Sequence, residues 1–478
     1  MQNKQNPQST TLPADKSAIH HSAGGQVCNL QSKVLVVGLG TSGLWTARWL
    51  AGQGADVIVT ERRRESELDP EILRELLELG IVLEVGGHKK ETFLNVDTIV
   101  LSPGVPHDMA LIKSASEKGI PVVGELELAS RFIDTPIIAV TGTNGKTTVT
   151  TFLGSMLENA GFNVFVGGNI GTPLMAHVVG DEKADYIVLE VSSFQLDTIN
   201  TFSPYISIIL NISPDHLDRY PDYEAYIQSK LRLYENQGDG QHLILNHDDQ
   251  RLSSVRPSSG VSLLFYGSKK GEGLNAFLED GKISASLNGS TKQSFSLDAF
   301  ALPGSHNQEN LLGAVLAGMA LGIDAVVIQK TVNQFKGLPH RLEYVGKING
   351  VLFYNDSKAT NVDAAVRAVT SFDRPLILIA GGRHKGADYA PLVTASRGRV
   401  KGAVFLGEAK GLLAQSFKDE IPFSVAEKME EAVSKAFTMA SKGDAVLLAP
   451  ACSSFDMFSD YPHRGRVFRE AVEGLIHG

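Results

Sequence analysis

The sequence predicts an α/β protein in which strands and helices alternate through three successive segments. Short apolar runs alternate with stretches of helical spacing along most of the chain, which is typical of parallel sheets covered by helices. The length of 478 residues suits two to four domains. Two glycine-rich turns each stand between a strand and a helix, the place where such proteins bind phosphate groups.

The composition is that of a globular protein with substantial cores, being 43% hydrophobic and 20% charged. The net charge of −9 gives no general basis for binding nucleic acid or an anionic membrane. Cys28 and Cys452 are too few for a disulfide framework or a cysteine-based zinc site, and this usage predicts a cytoplasmic protein. The longest apolar segment, Leu311 to Ile323, is too short to span a bilayer and predicts a buried helix, so no membrane insertion is expected.

The first 32 residues are polar and rich in Gln and Ser. They lack the apolar stretch of a signal peptide. We therefore interpret residues 1–32 as a disordered N-terminal extension.

The first segment, 33–124, contains the turn GLGTSG between the predicted strand KVLVVG and a helix-like stretch. Glu61 closes the next strand about 20 residues further on, as a dinucleotide-binding unit expects. Three interpretations stay open from these residues alone. The turn could bind a dinucleotide, it could be a tight structural turn that needs small residues, or it could hold the diphosphate of another nucleotide.

The middle segment, 125–337, contains TGTNGKTT, in which Lys146 and Thr147 follow a glycine turn at the start of a predicted helix. A helix N-terminus supplies N–H groups and a partial positive charge, the lysine adds a mobile cation, and the threonine hydroxyl can bind Mg²⁺. The common phosphate loop has a glycine where this chain has Val140. The turn therefore predicts a phosphate site that is not of the ordinary GTPase type.

Further polar residues follow predicted strands in this segment. Glu190 ends the run DYIVLE, where a Mg²⁺-binding carboxylate is expected, although an ordinary strand-end glutamate fits as well. His216 follows the strand YISIILNI, and Asn310 stands in a polar cluster that leads into the apolar helix. Spacing alone favours a surface position for Lys230 on its helix-like stretch.

The last segment, 338–478, again alternates strands, polar loops and helices. One loop, NDSKATN, contains Asp356, Lys358 and Thr360, and another contains Arg383, His384 and Lys385. Each could be a solvated charge run, but several cationic and hydroxyl-bearing loops at successive strand ends favour a small anionic ligand.

Seven motifs in one order make the chain resemble the Mur ligase family, and they extend over nearly all of it from Lys33. They are TGTNGKTT, LEVSSFQL, NISPDHLDRY, SHNQEN, GLPHRLE, YNDSKATN and PACSSFDMF. A phosphate loop without the leading glycine is typical of Mur ligases and of folylpolyglutamate synthetases. SSFQL, DHLDRYP and NDSKATN resemble the members that add D-glutamate more than the other members.

This resemblance implies three domains: a Rossmann-like domain over 33–124 for a UDP-sugar substrate, a central ATP-binding domain over 125–337, and a Rossmann-like domain over 338–478 for D-glutamate and part of ATP. It implies an ATP-dependent ligase that joins D-glutamate to UDP-N-acetylmuramoyl-L-alanine through an acyl phosphate, in peptidoglycan precursor synthesis. It implies ATP and two Mg²⁺ ions as cofactors and small molecules as the only partners, with a monomer as the expected state.

The resemblance also implies a role for individual residues. The ATP contacts are expected from Gly142, Thr143, Asn144, Gly145, Lys146, Thr147, Thr148, Asn310, Arg341 and Asp356. The metal ligands are expected to be Thr147, Glu190, His216 and Lys230, with Lys230 carbamylated, and the catalytic set to be Lys146, Glu190, His216 and Lys230. The UDP-sugar is expected to contact Thr41, Ser42, Glu61, Arg62, Asn169 and Ser192, and D-glutamate to contact Lys358, Thr360, Lys385, Ser454 and Phe455.

One departure and two alternatives remain. Where this chain has Arg383 or His384 the family often has an acidic or small residue, so the sequence does not define the hydrogen bonds around the side-chain carboxylate of D-glutamate. The nearer alternative is another Mur ligase or a folylpolyglutamate synthetase-like ligase with a different amino acid or acceptor. The alternative from another class is a non-catalytic protein that binds NAD or another nucleotide through GLGTSG.

Overall fold

The computed structural model describes residues 32–216, 219–287, 290–300, 302 and 304–477. The extension predicted over 1–32 lies outside the described residues apart from Ser32, as do Cys28 and two residues of the DHLDRY motif, Leu217 and Asp218. The described residues form three sheets, each covered by helices.

The first sheet is entirely parallel, with the strand order β3-β2-β1-β4-β5. Its strands are β1 (Lys33–Val37), β2 (Asp56–Glu61), β3 (Val82–Val85), β4 (Thr98–Leu101) and β5 (Val122–Gly124). The accompanying helices are α1 (Thr41–Gly52), α2 (Pro70–Glu78), α3 (Lys90–Leu94), α4 (Ala110–Glu117) and α5 (Glu125–Ser130). The strand order reverses beside β1, so the turn GLGTSG lies at the point where such sheets open a ligand crevice.

The central sheet has nine strands in the order β14-β13-β12-β11-β10-β9-β6-β8-β7. The strands are β6 (Ile137–Thr141), β7 (Val164–Gly168), β8 (Tyr186–Glu190), β9 (Ile206–Ile209), β10 (His242–Asn246), β11 (Ser262–Gly267), β12 (Ala276–Glu279), β13 (Lys282–Ala285) and β14 (Gln293–Ser296). The helices are α6 (Lys146–Asn159), α7 (Leu174–Val179), α8 (Ser193–Leu196), α9 (Tyr223–Leu231), α10 (Ser305–Ala320) and α11 (Ala325–Gln334). The strands from β6 to β12 pair in parallel, whereas β12, β13 and β14 form an antiparallel extension that the sequence patterns did not indicate.

The third sheet has the order β15-β16-β20-β17-β18-β19 and is parallel except for the β15–β16 hairpin. Its strands are β15 (Glu343–Ile348), β16 (Val351–Asn355), β17 (Leu376–Gly381), β18 (Val400–Leu406), β19 (Phe423–Ala426) and β20 (Ala445–Leu448). Its helices are α12 (Val362–Thr370), α13 (Ala390–Ser396), α14 (Lys410–Phe417), α15 (Met429–Met439) and α16 (Tyr461–His477). The α/β fold predicted from the alternation of apolar runs is confirmed in all three parts.

The two junctions between the sheets differ in chemistry. One apolar cluster runs from Val36 of β1 to Ile187 of β8 and includes Leu126 of α5 and Met175 of α7. Apolar contact therefore joins the first sheet to the central sheet. Among the described residues no apolar cluster joins the central sheet to the third sheet, and that junction is made by polar contacts.

None of the described helices is both long enough and apolar enough to cross a membrane.

Candidate functional site

The phosphate loop follows β6, which lies at the reversal point of the central sheet. Gly145 caps α6 with a left-handed φ of 89°, and a Cβ at this position would lie 2.4 Å from Oδ1 of Asn310. Asn144 donates its backbone N–H to the side chain of Asn211 and receives a hydrogen bond in return. The loop therefore needs glycine at this position, both for its conformation and for the close approach of α10. Because the loop leads directly into the N-terminus of α6, its backbone N–H groups are placed where a helix can bind an anion.

Lys146 folds back on this loop. Its Nζ donates to the carbonyl oxygens of Gly142 at 2.8 Å and Thr143 at 3.0 Å. Burial lowers the pKa of Lys146, while the charge of Glu190 opposes that effect. A ligand phosphate would offer this ammonium group a stronger partner than neutral carbonyls do.

Glu190, at the end of β8, links the loop to a second strand. Its carboxylate accepts from Thr147 Oγ1 at 2.6 Å and from Asn169 Nδ2 at 2.7 Å. Burial acts to raise the pKa of Glu190, but the charge of Lys146 and these two hydrogen bonds outweigh it and hold the pKa below its usual value. Arg341, from the third part of the chain, donates to the same Thr147 hydroxyl.

His216 lies after β9 with a φ of 55°, which is uncommon for a residue other than glycine. Its backbone N–H donates to Asp215 Oδ1 at 2.9 Å. The same aspartate accepts a hydrogen bond from Asn361 at 3.0 Å and lies 3.8 Å from Nζ of Lys385. Burial lowers the pKa of His216, which leaves a neutral ring able to act as a metal ligand.

Lys230 is buried on α9, with 1% of its surface exposed, so the surface position that spacing favoured is wrong. Its Nζ donates to the Gly142 carbonyl at 2.9 Å and lies 4.8 Å from the centre of the Tyr226 ring. Burial, followed by the positive charge of Lys146, holds the pKa of Lys230 well below its usual value. The tertiary fold thus brings two lysines to one carbonyl oxygen of the phosphate loop, although they are far apart in sequence.

A first cavity opens beside the phosphate loop, between the central and third sheets. Its lining includes the predicted residues Asn144, Gly145, Thr148, Asn310, Arg341 and Asp356. Burial raises the pKa of Asp356 to about 7, against the effect of the Arg341 charge. His306 and Arg367 also line this cavity, and burial lowers the pKa of His306 to about 4. No sequence signal beyond the SHNQEN motif pointed to His306, and none pointed to Arg367.

A second cavity lies beside the first, and Lys358 lines both. Its volume of about 870 Å³ is in the range of small-molecule sites. His216 lines this cavity. So do all the residues predicted to contact D-glutamate, which are Lys358, Thr360, Lys385, Ser454 and Phe455. Burial lowers the pKa of Lys358 to about 8, and its ammonium lies 3.9 Å from the centre of the Tyr461 ring, a lining residue that the sequence patterns missed.

Arg383 and His384 also line this second cavity. Arg383 faces Glu408, with 3.7 Å between Nε and Oε2. His384 shares a 2.9 Å hydrogen bond with the Tyr389 hydroxyl, which in turn lies 3.1 Å from the sulfur of Cys452.

The turn after β1 forms a third polar region. The Glu61 carboxylate accepts the backbone N–H groups of Leu39 at 2.7 Å and Arg63 at 2.9 Å. Burial acts to raise the pKa of Glu61, but hydrogen bonds from Arg63 and Leu39 outweigh it and hold the pKa at about 2. The other residues predicted for this region are Thr41 and Ser42 in the first turn of α1 and the exposed Arg62.

Two residues predicted to contact the UDP-sugar form hydrogen bonds to other residues of the protein. Asn169 uses its amide to hold Glu190, and Ser192 caps α8 in a reciprocal arrangement with Gln195. Their side chains lie at the ends of β7 and β8, beside the phosphate loop rather than at the turn after β1.

The phosphate-loop residues suit Mg²⁺. The hydroxyl of Thr147 and the carboxylate of Glu190 are hard oxygen donors that already lie within hydrogen-bonding distance of each other. Among the described residues no three His, Cys, Asp or Glu side chains form a ready-made metal cage. Mg²⁺ usually completes its coordination with water and substrate phosphates, so this sparse donor set fits a metal that arrives with a nucleotide.

The fold and site define a three-domain enzyme class in which a phosphate loop and two adjoining cavities meet between domains. Models of three Mur ligase domains match the chain: the MurD-like N-terminal domain over 32–124, the Mur ligase middle domain over 140–318, and the glutamate ligase domain over 340–452. The chain belongs to the Mur ligase family.

Two relatives match almost the whole chain. The UDP-N-acetylmuramoylalanine–D-glutamate ligase of Desulfosudis oleivorans is 45% identical over 446 residues, which are 93% of this chain and 97% of that protein. The enzyme of the same name from Pelotomaculum thermopropionicum is 43% identical over 450 residues, covering 94% of this chain and 99% of that protein.

Solved structures with lower identity share the fold. The pseudomurein peptide ligase type C of Methanothermus fervidus has a TM-score of 0.59 at 21% identity, with 93% of this chain and 100% of that chain covered. The MurF ligase of Thermotoga maritima, solved in complex with ADP, has a TM-score of 0.57 at 16% identity, with 93% and 96% covered.

Proposed function

We propose that this protein is an ATP-dependent ligase that adds D-glutamate to UDP-N-acetylmuramoyl-L-alanine in peptidoglycan precursor synthesis. The observation that carries the proposal is that the first cavity, beside the phosphate loop, and the second cavity, with its cationic lining, share Lys358. A phosphoryl group held by the phosphate loop would therefore lie beside an amino acid held in the second cavity. The full-length relatives with 45% and 43% identity carry the name of this activity.

The reaction proceeds in two steps. An oxygen of the alanyl carboxylate attacks the γ-phosphorus of ATP, and the bond from that phosphorus to the bridging oxygen of ADP breaks. The neutral amine of D-glutamate then attacks the acyl phosphate carbon and a C–N bond forms. The nitrogen loses one proton to solvent, the C–O bond breaks, and phosphate leaves. The protein contributes by positioning the reactants and by neutralising charge.

We assign the ATP phosphates to Lys146 and the N–H groups of the phosphate loop, and the rest of the nucleotide to the cavity lined by Asn310, Arg341 and Asp356. Thr147 and Glu190 would hold one Mg²⁺, which neutralises charge on the phosphates when bound. His216 and a carbamylated Lys230 would hold a second. The side-chain carboxylate of D-glutamate would meet Lys385, supported by the other second-cavity residues Lys358, Thr360, Ser454 and Phe455.

The turn after β1 would receive the uridine diphosphate, through Thr41, Ser42, Glu61 and Arg62, with Asn169 and Ser192 toward the sugar. The domain boundaries would lie near 124 and 337, at the ends of β5 and of the stretch after α11.

Phosphate release tests the proposal directly. With UDP-N-acetylmuramoyl-L-alanine and ATP, D-glutamate should support turnover, whereas L-glutamate and D-aspartate should not. Preference for another amino acid would indicate a different ligase of the family. Binding of NAD without phosphate release would indicate the non-catalytic alternative.

Lys146→Ala should reduce phosphate release by roughly 100-fold or more, because it removes a charge that stabilises the transferring phosphoryl group. Lys183→Ala is the matched control, since Lys183 is an exposed lysine of the same domain. Near-normal release by the Lys146 variant would contradict the assignment of the loop.

A further inference from the structure

Arg219 connects the first domain to the loop that carries His216. Its guanidinium donates to two backbone carbonyls across the junction, from Nη1 to Gly104 at 3.1 Å and from Nη2 to Val105 at 2.8 Å. The same group lies over the Phe194 ring, 4.1 Å from its centre. This fork of two donors and a stacking face is a geometry that lysine cannot reproduce.

On the first-domain side, the contacts continue to the turn after β1. The backbone N–H of Val105 donates to the Ser102 carbonyl at 3.0 Å, and Ser102 Oγ donates to the Gly38 carbonyl at 2.8 Å. A Cβ on Gly38 would lie 3.0 Å from Val105 Cγ2, so the two segments are closely packed. The segment that Arg219 binds therefore supports the first glycine of GLGTSG.

On the central side, the contacts continue to His216. The backbone N–H of Arg219 donates to the His216 carbonyl at 2.9 Å. The Phe194 ring beneath the guanidinium meets the His216 ring edge-on, with 4.9 Å between ring centres. Because His216 has a positive φ, its position depends on such surrounding contacts.

We propose that Arg219 is a positioning residue that couples the substrate turn of the first domain to the His216 loop. This inference rests on the proposed function, since it takes GLGTSG as the UDP-sugar site and His216 as part of the reacting centre. Occupation of the turn stabilises the Ser102–Val105 segment, and that segment holds the Arg219 guanidinium. Arg219 in turn holds His216 through its backbone hydrogen bond to the His216 carbonyl and through the Phe194 ring that both side chains contact. A UDP-sugar bound at one domain thereby favours the productive arrangement at the other.

Steady-state kinetics of Arg219→Ala and Arg219→Lys test the inference. We expect Arg219→Ala to lower kcat by roughly 10- to 100-fold, as displacement of a reacting group does, and to raise KM for UDP-N-acetylmuramoyl-L-alanine. The KM for ATP should stay close to that of the parent, because the described partners of Arg219, namely Gly104, Val105, Phe194 and His216, lie outside the lining of the first cavity. Arg219→Lys keeps the positive charge but lacks the two-donor fork, so its kcat and its KM for the UDP-sugar should lie between those of the parent and of Arg219→Ala.

Arg256→Ala is the matched control. Arg256 also lies over an aromatic ring, that of Phe265, and also donates to two carbonyls, but its partners Ser253 and Val255 are local. Melting temperatures of all variants report on folding. Parent-like kcat and UDP-sugar KM in Arg219→Ala would overturn the inference, as would a reduced active fraction with unchanged KM values. Absence of turnover in the unmodified protein would instead contradict the proposed function.

Discussion

Lys230 shows at the residue scale how surroundings decide the chemistry of a side chain. Lys230 is 1% exposed, and its Nζ lies against a carbonyl oxygen and an aromatic face, so it has lost most of its hydration. Burial and the nearby charge of Lys146 lower its pKa, which favours the neutral amine. A neutral amine can add CO₂, forming an N–C bond and releasing a proton. The product is an anionic carbamate among cations, and its oxygens are ligands that Mg²⁺ prefers.

We predict that Lys230→Ala reduces turnover by roughly 100-fold or more, since it removes a metal ligand and its negative charge. Acetate or formate should restore part of the activity by supplying a carboxylate to the vacated space. Phosphate release with and without these anions measures the effect, and ¹³C NMR with labelled bicarbonate detects the carbamate in the parent. Lys330, exposed on α11, provides the control variant. Full activity of Lys230→Ala would exclude the carbamate.

At the scale of elements, the third sheet builds its cavity from loops that follow β16, β17 and β20. These three strands are neighbours, in the order β16-β20-β17, so their carboxyl ends meet at one edge although the chain visits them far apart. Lys358 follows β16, Lys385 follows β17, and Ser454 follows β20. The sheet therefore concentrates cationic and hydroxyl groups at one edge. There they can replace the water molecules around the two carboxylates of an amino acid such as glutamate.

Lys385→Ala should raise KM for D-glutamate roughly tenfold or more, because hydrogen bonds to charged groups contribute about 1.5–3 kcal/mol. The KM values for ATP and the UDP-sugar should change little. Lys358→Ala should raise KM for both D-glutamate and ATP, because Lys358 lines both cavities. Initial-rate measurements with each substrate varied in turn distinguish the two patterns.

Lys410→Ala is the control for this pair, since Lys410 belongs to the same domain and pairs at the surface with Glu427. If Lys385→Ala instead raised only the KM for the UDP-sugar, the assignment of D-glutamate to the second cavity would be wrong.

At the scale of the whole molecule, the two domain junctions differ in strength. An apolar core shared by the first and central sheets resists separation, whereas a junction of hydrogen bonds can open into water at little cost. Asp363 is the centre of the polar junction. It accepts hydrogen bonds from Asn144 at 2.7 Å and Ser213 at 3.1 Å in the central domain, and from Arg367 at 3.0 Å on its own helix. We therefore expect the third domain to move relative to the other two as a unit.

Asp363→Ala should increase the radius of gyration of the free protein and raise KM for ATP, because the cavity that it helps to close would open. We expect a rise in KM of roughly tenfold, in line with the contribution of hydrogen bonds to a charged group. Small-angle X-ray scattering and initial rates measure the two effects. Asp373→Ala, at an exposed position of the same domain, should change neither. An unchanged radius together with parent-like kinetics would indicate that other contacts hold the junction.

Local patterns were enough to predict a glycine turn with phosphate-binding chemistry and the alternation of strands and helices, apart from the antiparallel extension of β12, β13 and β14. A glycine turn with Lys146 and Thr147 at the start of α6 has a chemistry that few structural roles need. The same patterns left the GLGTSG turn with three interpretations, because a turn with small residues serves several purposes. They also gave no indication of His306 and Arg367 as individual cavity residues, since an isolated polar residue on a helix carries no signal of what it faces.

The sequence by itself determined the alternation of strands and helices over most of the chain and the glycine turns after β1 and β6, because periodicity, glycine conformation and helix capping act over a few residues. Only the tertiary structure decided which side chains meet. The hydrogen bond of Lys230 to Gly142 spans 88 residues of sequence, that of Arg219 to Val105 spans 114, and that of Asn144 to Asp363 spans 219. Such contacts depend on strand order and domain packing, so the burial of a lysine or the partner of an arginine is a property of the assembled sheets and not of the local chain.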